Sequence, residues 1–140
     1  MKYWIAVVSK AHVMKGKAWG ILQVCHGKPA PLKRIKQGDF VIFYSSKNEM
    51  NDKKTLQHFT AIAKVDDDVI YQVEQFAGFE PFRRKVTFLT CQETAIRPLI
   101  NDLGFIQNKK HWGYPFRYGL LEINKQDFEL IQTKMLLKDD

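Results

Sequence analysis

At 140 residues, 45% hydrophobic and 13% aromatic, the chain is long enough for one domain with a real core and too apolar for a disordered one. Two cysteines exclude a disulfide framework, and no apolar run reaches bilayer length. Met1–Val8 lacks the layout of a secretory leader, so a soluble, cytoplasmic protein is expected.

The formal charge of +7 points to an anionic partner, and its distribution sharpens the point: eight Lys or Arg precede the first carboxylate, Asp39. The same stretch holds Trp4, His12, Trp19 and His26 among apolar runs that should be buried. One-signed charge on core elements makes a positive surface on a folded scaffold rather than a basic tail.

In chain order, Tyr3–Val8 predicts a strand and Ala11–Gly20 a helix of one or two turns, weakened by Gly16. Ile21–Cys25 extends again before the breaker-rich 26–31 segment, and Leu32–Lys36 suits a single basic turn. The unbroken apolar run Phe40–Tyr44 predicts a strand buried on both faces. Lys47–Thr55 has no periodicity and predicts a surface loop. In His58–Val65 apolar residues alternate with more polar ones, giving a strand; Asp66-Asp67-Asp68 then turns the chain so that Val69–Val73 returns as its partner.

Phe76–Phe82 predicts a loop and Arg83–Leu89 a strand. Thr94 is positioned to cap a short helix through Ile100, with Pro98 in its first turn. After an irregular stretch, Tyr118–Ile123 reads as the last strand. Asn124 caps a helix to about Leu136, whose Phe128, Ile131, Met135 and Leu136 share one face. Five or six strands with short flanking helices and a C-terminal helix make an α+β, barrel-like single domain over residues 1–140.

Two segments have the composition of a ligand site. Lys109–Gly119 packs Trp112, Tyr114, Phe116 and Tyr118 among Lys109, Lys110 and Arg117. Aromatic faces stack on nucleobases and cations meet phosphate; the same pattern also suits rings plugging a barrel end. Gln23–Lys28 offers an amide and His26 to the edge of a base, or is a plain strand end. Arg83-Arg84-Lys85 suits either phosphate contact or a charged edge strand. The cysteines and histidines lack zinc-ligand spacing, and no phosphate-cradling glycine motif or catalytic constellation is visible, so neither metal nor cofactor is expected.

Read together, Tyr3–Lys10, Gln23–Lys28, Pro31–Arg34 with Gly38-Asp39, Phe43–Ser45, Pro81–Arg84, and Lys109–Gly113 through Phe116-Arg117 resemble the EVE domain family. That family belongs to the PUA-like superfamily, with YTH and ASCH domains as relations. The resemblance implies a small mixed β-barrel with a pocket for one extruded, modified base. By position it implies Ser9, Lys10, Gln23, Val24 and Tyr44 as pocket wall or floor, with His26 and Ser45 alongside and Trp112 and Phe116 closing it. Trp4 falls where core packing competes with ligand contact. Lys28, Lys33, Arg34, Arg83, Arg84, Lys109, Lys110 and Arg117 are the expected phosphate contacts.

The function expected is thus a monomeric binding module for RNA or DNA bearing a modified base. The rival is an ASCH-type ribonuclease using Lys10, Tyr44, Ser45 and His26 in the same cleft; an interaction domain with a vestigial pocket is a third possibility.

Overall fold

The computed structural model describes residues 1–136. Strand β1 (Tyr3–Val7) leads into helix α1 (Lys10–Trp19) and the short strand β2 (Ile21–Leu22). A single turn of 3-10 helix at Cys25–Gly27 and a four-residue helix α2 (Pro29–Leu32) bring the chain to β3 (Phe40–Ser45). β1 and β3 pair in parallel, and the helical segment between them is the crossover such a pair requires.

Then come β4 (His58–Val65), β5 (Tyr71–Gln72), β6 (Phe82–Phe88) and β7 (Thr94–Ala95), with 3-10 turns at Arg97–Asp102 and Tyr114–Tyr118. β8 (Leu120–Ile123) and helix α3 (Lys125–Met135) complete the fold. The main path of the sheet is β2-β6-β4-β3-β1-β8, with β5 on β6 and β7 on β4. Its two ends, β2 and β8, are not joined, so the sheet stops short of a closed barrel.

Strand alternation divides the core in two. Ile5, Ile42, Tyr44 and Ile62 face α3 and the 97–102 turn, where Phe128, Ile131, Met135 and Leu103 pack on them. Trp4, Ala6, Val41, Phe43 and Ala61 face the other way, under Val13 of α1 and Leu32 of α2. Trp4 is fully buried, and its indole Nε1 donates to Asp39 Oδ2 at 2.9 Å. That carboxylate also accepts the backbone N–H of Lys2 and of Lys36, tying the start of β1 to the entry of β3. Trp4 is thereby committed to packing.

Local expectations fail where tertiary pairing overrides them. β5 pairs with β6, through Tyr71 and Arg83, rather than returning along β4; β6 itself takes the β4 edge. Thr94 caps nothing: Thr94 and Ala95 pair with Phe59 and His58, and the following turn starts at Arg97. The basic turn expected at Leu32–Lys36 follows a helix that begins earlier, at Pro29, where proline suits the first turn. The last strand starts at Leu120 because residues 114–118 form a 3-10 turn.

α1 is ten residues long despite Gly16, and the glycine has a packing reason. A Cβ there would lie 2.9 Å from the carbonyl oxygen of Ile21, so Gly16 lets α1 close onto β2. The expected cap of α3 forms, Asn124 Oδ1 accepting from Asp127 N, and α1 has a cap that was not expected, Ser9 Oγ accepting from His12 N.

Candidate functional site

The two faces of the β1–β3 pair carry different clefts. On the α1 side, Val8, Val13, Ile21 and Phe43 form an apolar hollow beside His12, Lys15, Trp19, Gln23 and Gln75. Its free volume is about 20 Å³, room for one water. Beside the hollow lies a polar cluster that contributes Gln23 and Gln75 to its lining. Arg83 donates from Nε to Gln23 Oε1 at 2.9 Å and from Nη2 to Gln75 Oε1 at 3.0 Å, and Gln23 Nε2 reaches the same Gln75 oxygen at 3.3 Å.

Arg83 is buried yet no carboxylate pairs with it among the described residues; two amides take its hydrogen bonds. Its guanidinium lies 4.9 Å from the centroid of Trp19, which keeps 50% of its surface exposed. A cation on an aromatic face beside two amides is chemically apt for a planar ring with hydrogen-bonding edges.

On the opposite face a larger cleft, about 310 Å³, is lined by Val7, Tyr44, Ser46, Gln57, Trp112, Phe116 and Arg117, with Gly113 at its edge. Phe116 stacks on Tyr44 with centroids 4.2 Å apart, and Trp112 meets Phe116 edge-on at 6.4 Å. Burial pushes the Tyr44 phenol up to about 12 against the pull of Arg97, so it stays protonated. Arg97 lies over the Trp112 ring at 5.5 Å, held by Gln57 Oε1 at 2.8 Å from its Nε.

The sequence matches the EVE domain family over residues 2–134. The chain belongs to that family. Among curated relatives, the "UPF0310 protein in gntR 5'region" of Bacillus licheniformis is 49% identical over 128 residues, 91% of this chain and 87% of the relative. The YTH domain of Zygosaccharomyces rouxii MRB1, solved with N6-methyladenosine RNA, superposes with a TM-score of 0.60 at 16% identity, covering 94% of this chain and 84% of that one. Human THYN1, solved with DNA containing 5-methylcytosine, gives 0.55 at 12% identity over the whole of both chains. At these identities the two structures establish a shared fold, that of the YTH and THYN1 domains.

In this EVE domain the residues expected to form one pocket are divided. Gln23 lines the α1-side cleft, whereas Tyr44, Trp112 and Phe116 line the cleft across the sheet. A single hollow cannot hold both sets, because Phe43 and Tyr44 point to opposite faces. Ser9 is buried as the cap of α1. Val24 is core. Ser45 is fully buried and shares a 2.8 Å hydrogen bond with Thr60. Lys10 Nζ is paired with Glu93 at 2.8 Å. His26 is exposed, in a turn where its φ is +59°.

Of the expected phosphate contacts, Lys28, Lys33, Lys110 and Arg117 are exposed, and Arg117 lies 4.7 Å from the Tyr114 ring. Arg34 lies 5.0 Å over Trp4, and exposed Lys109 reaches the carbonyl of Leu103 with its Nζ. Arg83 and Arg84 depart from the expectation: both are buried, Arg83 held by Gln23 and Gln75, and Arg84 donating to the carbonyls of Leu32, Ile35 and Asp67. The Arg84 guanidinium is a structural brace, sealed from any ligand phosphate by burial although its Nε–H has no partner among the described residues.

Residues the sequence reading passed over include Trp19, expected inside but half exposed, and Gln75, Gln57 and Arg97. Trp19 directly precedes the αL cap Gly20, where α1 ends, and that is the one signal that places it at a rim. Nothing local marks Gln75, since its partners Gln23 and Arg83 are brought to it by β5–β6 and β2–β6 pairing.

Proposed function

We propose that this EVE domain is a nucleic-acid-binding module that receives one modified base of RNA or DNA in the α1-side cleft. The observation that carries the reading is the Arg83–Gln23–Gln75 cluster at an apolar hollow beside half-exposed Trp19. Amides and guanidinium groups are the side chains that pair bidentately with base edges. Here they satisfy one another, and the longest bond, Gln23 to Gln75 at 3.3 Å, is the one a base edge replaces. Entry of the base opens the hollow by that exchange, with Trp19 stacking on the ring.

The methylated RNA and DNA held by the YTH and THYN1 structures support this ligand class. Lys15 at the cleft, with Lys28 and Lys33 on the same acid-free segment, supplies phosphate contacts that position the strand without reading it. A binding role rather than catalysis is favoured by Ser45 and Lys10. The first is sealed against Thr60, out of reach of a phosphodiester, and the second pairs with Glu93 at the surface.

The test is titration of the full chain with RNA and DNA oligonucleotides that carry or lack N6-methyladenine or 5-methylcytosine. Stacking on Trp19 is worth about 1–3 kcal/mol, so Trp19→Ala weakens all complexes tenfold or more. Gln23→Ala instead reduces the preference for modified over unmodified strands. Equal binding of both kinds of strand by the parent, or parent-like binding by both variants, defeats the proposal.

A further inference from the structure

We propose that the cleft on the α3 side of the sheet is a second, independent ligand site, for a small planar aromatic ring that bears an anionic group. It goes beyond the base-binding reading and uses none of the same side chains. At about 310 Å³ it falls at the lower end of small-molecule pockets, which run from about 300 to 1,000 Å³. That space suits one ring with a substituent and is far too small for a folded partner.

Three features fix the ligand's chemistry. The walls are aromatic and rigid: Phe116 is clamped between Tyr44 on its face and Trp112 and Phe105 edge-on. No carboxylate lines the cleft, and the cations beside it, Arg97 and Arg117, have no acidic partner among the described residues. Two uncompensated guanidinium groups next to an apolar slot attract an anion, and planar guanidinium suits carboxylate or phosphate.

The third feature is strain. Gln57 has a φ of +58°, in the left-handed region that a residue with a Cβ enters at a cost. It is pinned there on three sides: its N–H donates to Ser46 O, its carbonyl accepts from Ile96 N, and its Oε1 holds Arg97 Nε. The consequence of that backbone placement is the position of Arg97 over Trp112. A strained residue whose side chain orients an unpaired cation at a cleft belongs to a site, since the core packing around it needs no such arginine.

The experiment uses the full chain carrying Trp19→Ala, so that the base cleft is weakened, and follows the Trp112 indole N–H by NMR. The probes are adenosine 5′-monophosphate, adenosine, inorganic phosphate and indole-3-acetate. Ring and anion joined in one molecule should bind at least about tenfold tighter than adenosine or phosphate alone. Arg97→Gln should remove about that factor; the substitution is exposed and leaves the fold intact even if Trp112→Ala does not. Binding of the monophosphate alone assigns a nucleotide, binding of indole-3-acetate alone an aromatic carboxylate, and binding of both a general ring-anion site. Absence of binding by either at millimolar concentration overturns the proposal. So does binding that Arg97→Gln leaves unchanged.

Discussion

Arg83 and Arg84 are consecutive on β6 and serve opposite sides of it. Arg83 meets amides and an exposed indole at a cleft, while Arg84 turns inward and braces the carbonyls of Leu32, Ile35 and Asp67. Their substitutions should therefore separate. Arg84→Leu leaves three carbonyls without their donor, at about 1–3 kcal/mol for each that stays buried. We expect a loss of about 3 kcal/mol or more in urea unfolding, with the salt dependence of nucleic-acid binding unaltered. A stable Arg84→Leu protein with a shallower salt slope would reverse the two roles.

The proposed phosphate contacts carry a separate prediction. Each phosphate neutralised contributes about 0.7 to 0.9 to the slope of log K against log salt, the lower figure for single strands. Lys15→Gln and Lys28→Gln should each reduce the slope by roughly that amount and weaken modified and unmodified strands alike. Should either variant change the base preference, its lysine reads the base.

Gly27 joins the 25–27 turn to the start of β6. Its φ is +79°, and a Cβ would come 2.4 Å from the Cβ of buried Pro81. Neither the backbone nor the proline ring can yield cheaply. Gly27→Ala should cost at least about 1–3 kcal/mol by overpacking, with backbone strain added. Because Gln23 and Arg83 flank this joint, base binding should weaken with stability. Unchanged thermal unfolding would show that the turn adjusts freely.

Asp39 predicts an acid limb of stability. Burial on its own raises the carboxyl, but N–H donors from Lys2 and Lys36, the Trp4 indole and the N-terminal ammonium outweigh it and hold the group below its usual value. With the folded pKa depressed, the unfolded chain takes the proton first. The contribution is complete above about pH 4, the unfolded value, and is lost as pH falls through the folded one. Asp39→Asn should lower neutral-pH stability by about 1–3 kcal/mol and flatten the decline below pH 4. A parallel acid limb in parent and variant would assign the effect to other carboxylates.

How much of this was legible beforehand depended on the range of the interaction. β1, β3, β4, β6 and α3 were readable because hydrophobic period and caps are local signals, as with Asn124 ahead of Phe128 and Ile131. Which strand pairs with which was not: Val69–Val73 lies beside β4 in sequence, yet Tyr71 pairs with Arg83 on β6. The site followed the same rule. Aromatic and basic residues at 109–117 stand out in composition, but the division between Phe43 and Tyr44 that assigns them to a different face from Gln23 is a fact of pleat and register. Arg84 illustrates the limit in one residue, since a buried brace and a surface phosphate contact have the same letter.

The place of β1 between β3 and β8 carries a consequence for how the polypeptide is made. Its parallel neighbour begins at Phe40 and its antiparallel one at Leu120, so the two flanking strands are made at widely separated times. Residues through Ile123 must leave the ribosome before Trp4, Ile5 and Ala6 gain both neighbours. Until then an apolar edge waits uncovered, and long-range closure of this kind is slow. Newly made copies should therefore lean on chaperones, and ribosome-bound fragments ending before residue 120 should remain sensitive to protease.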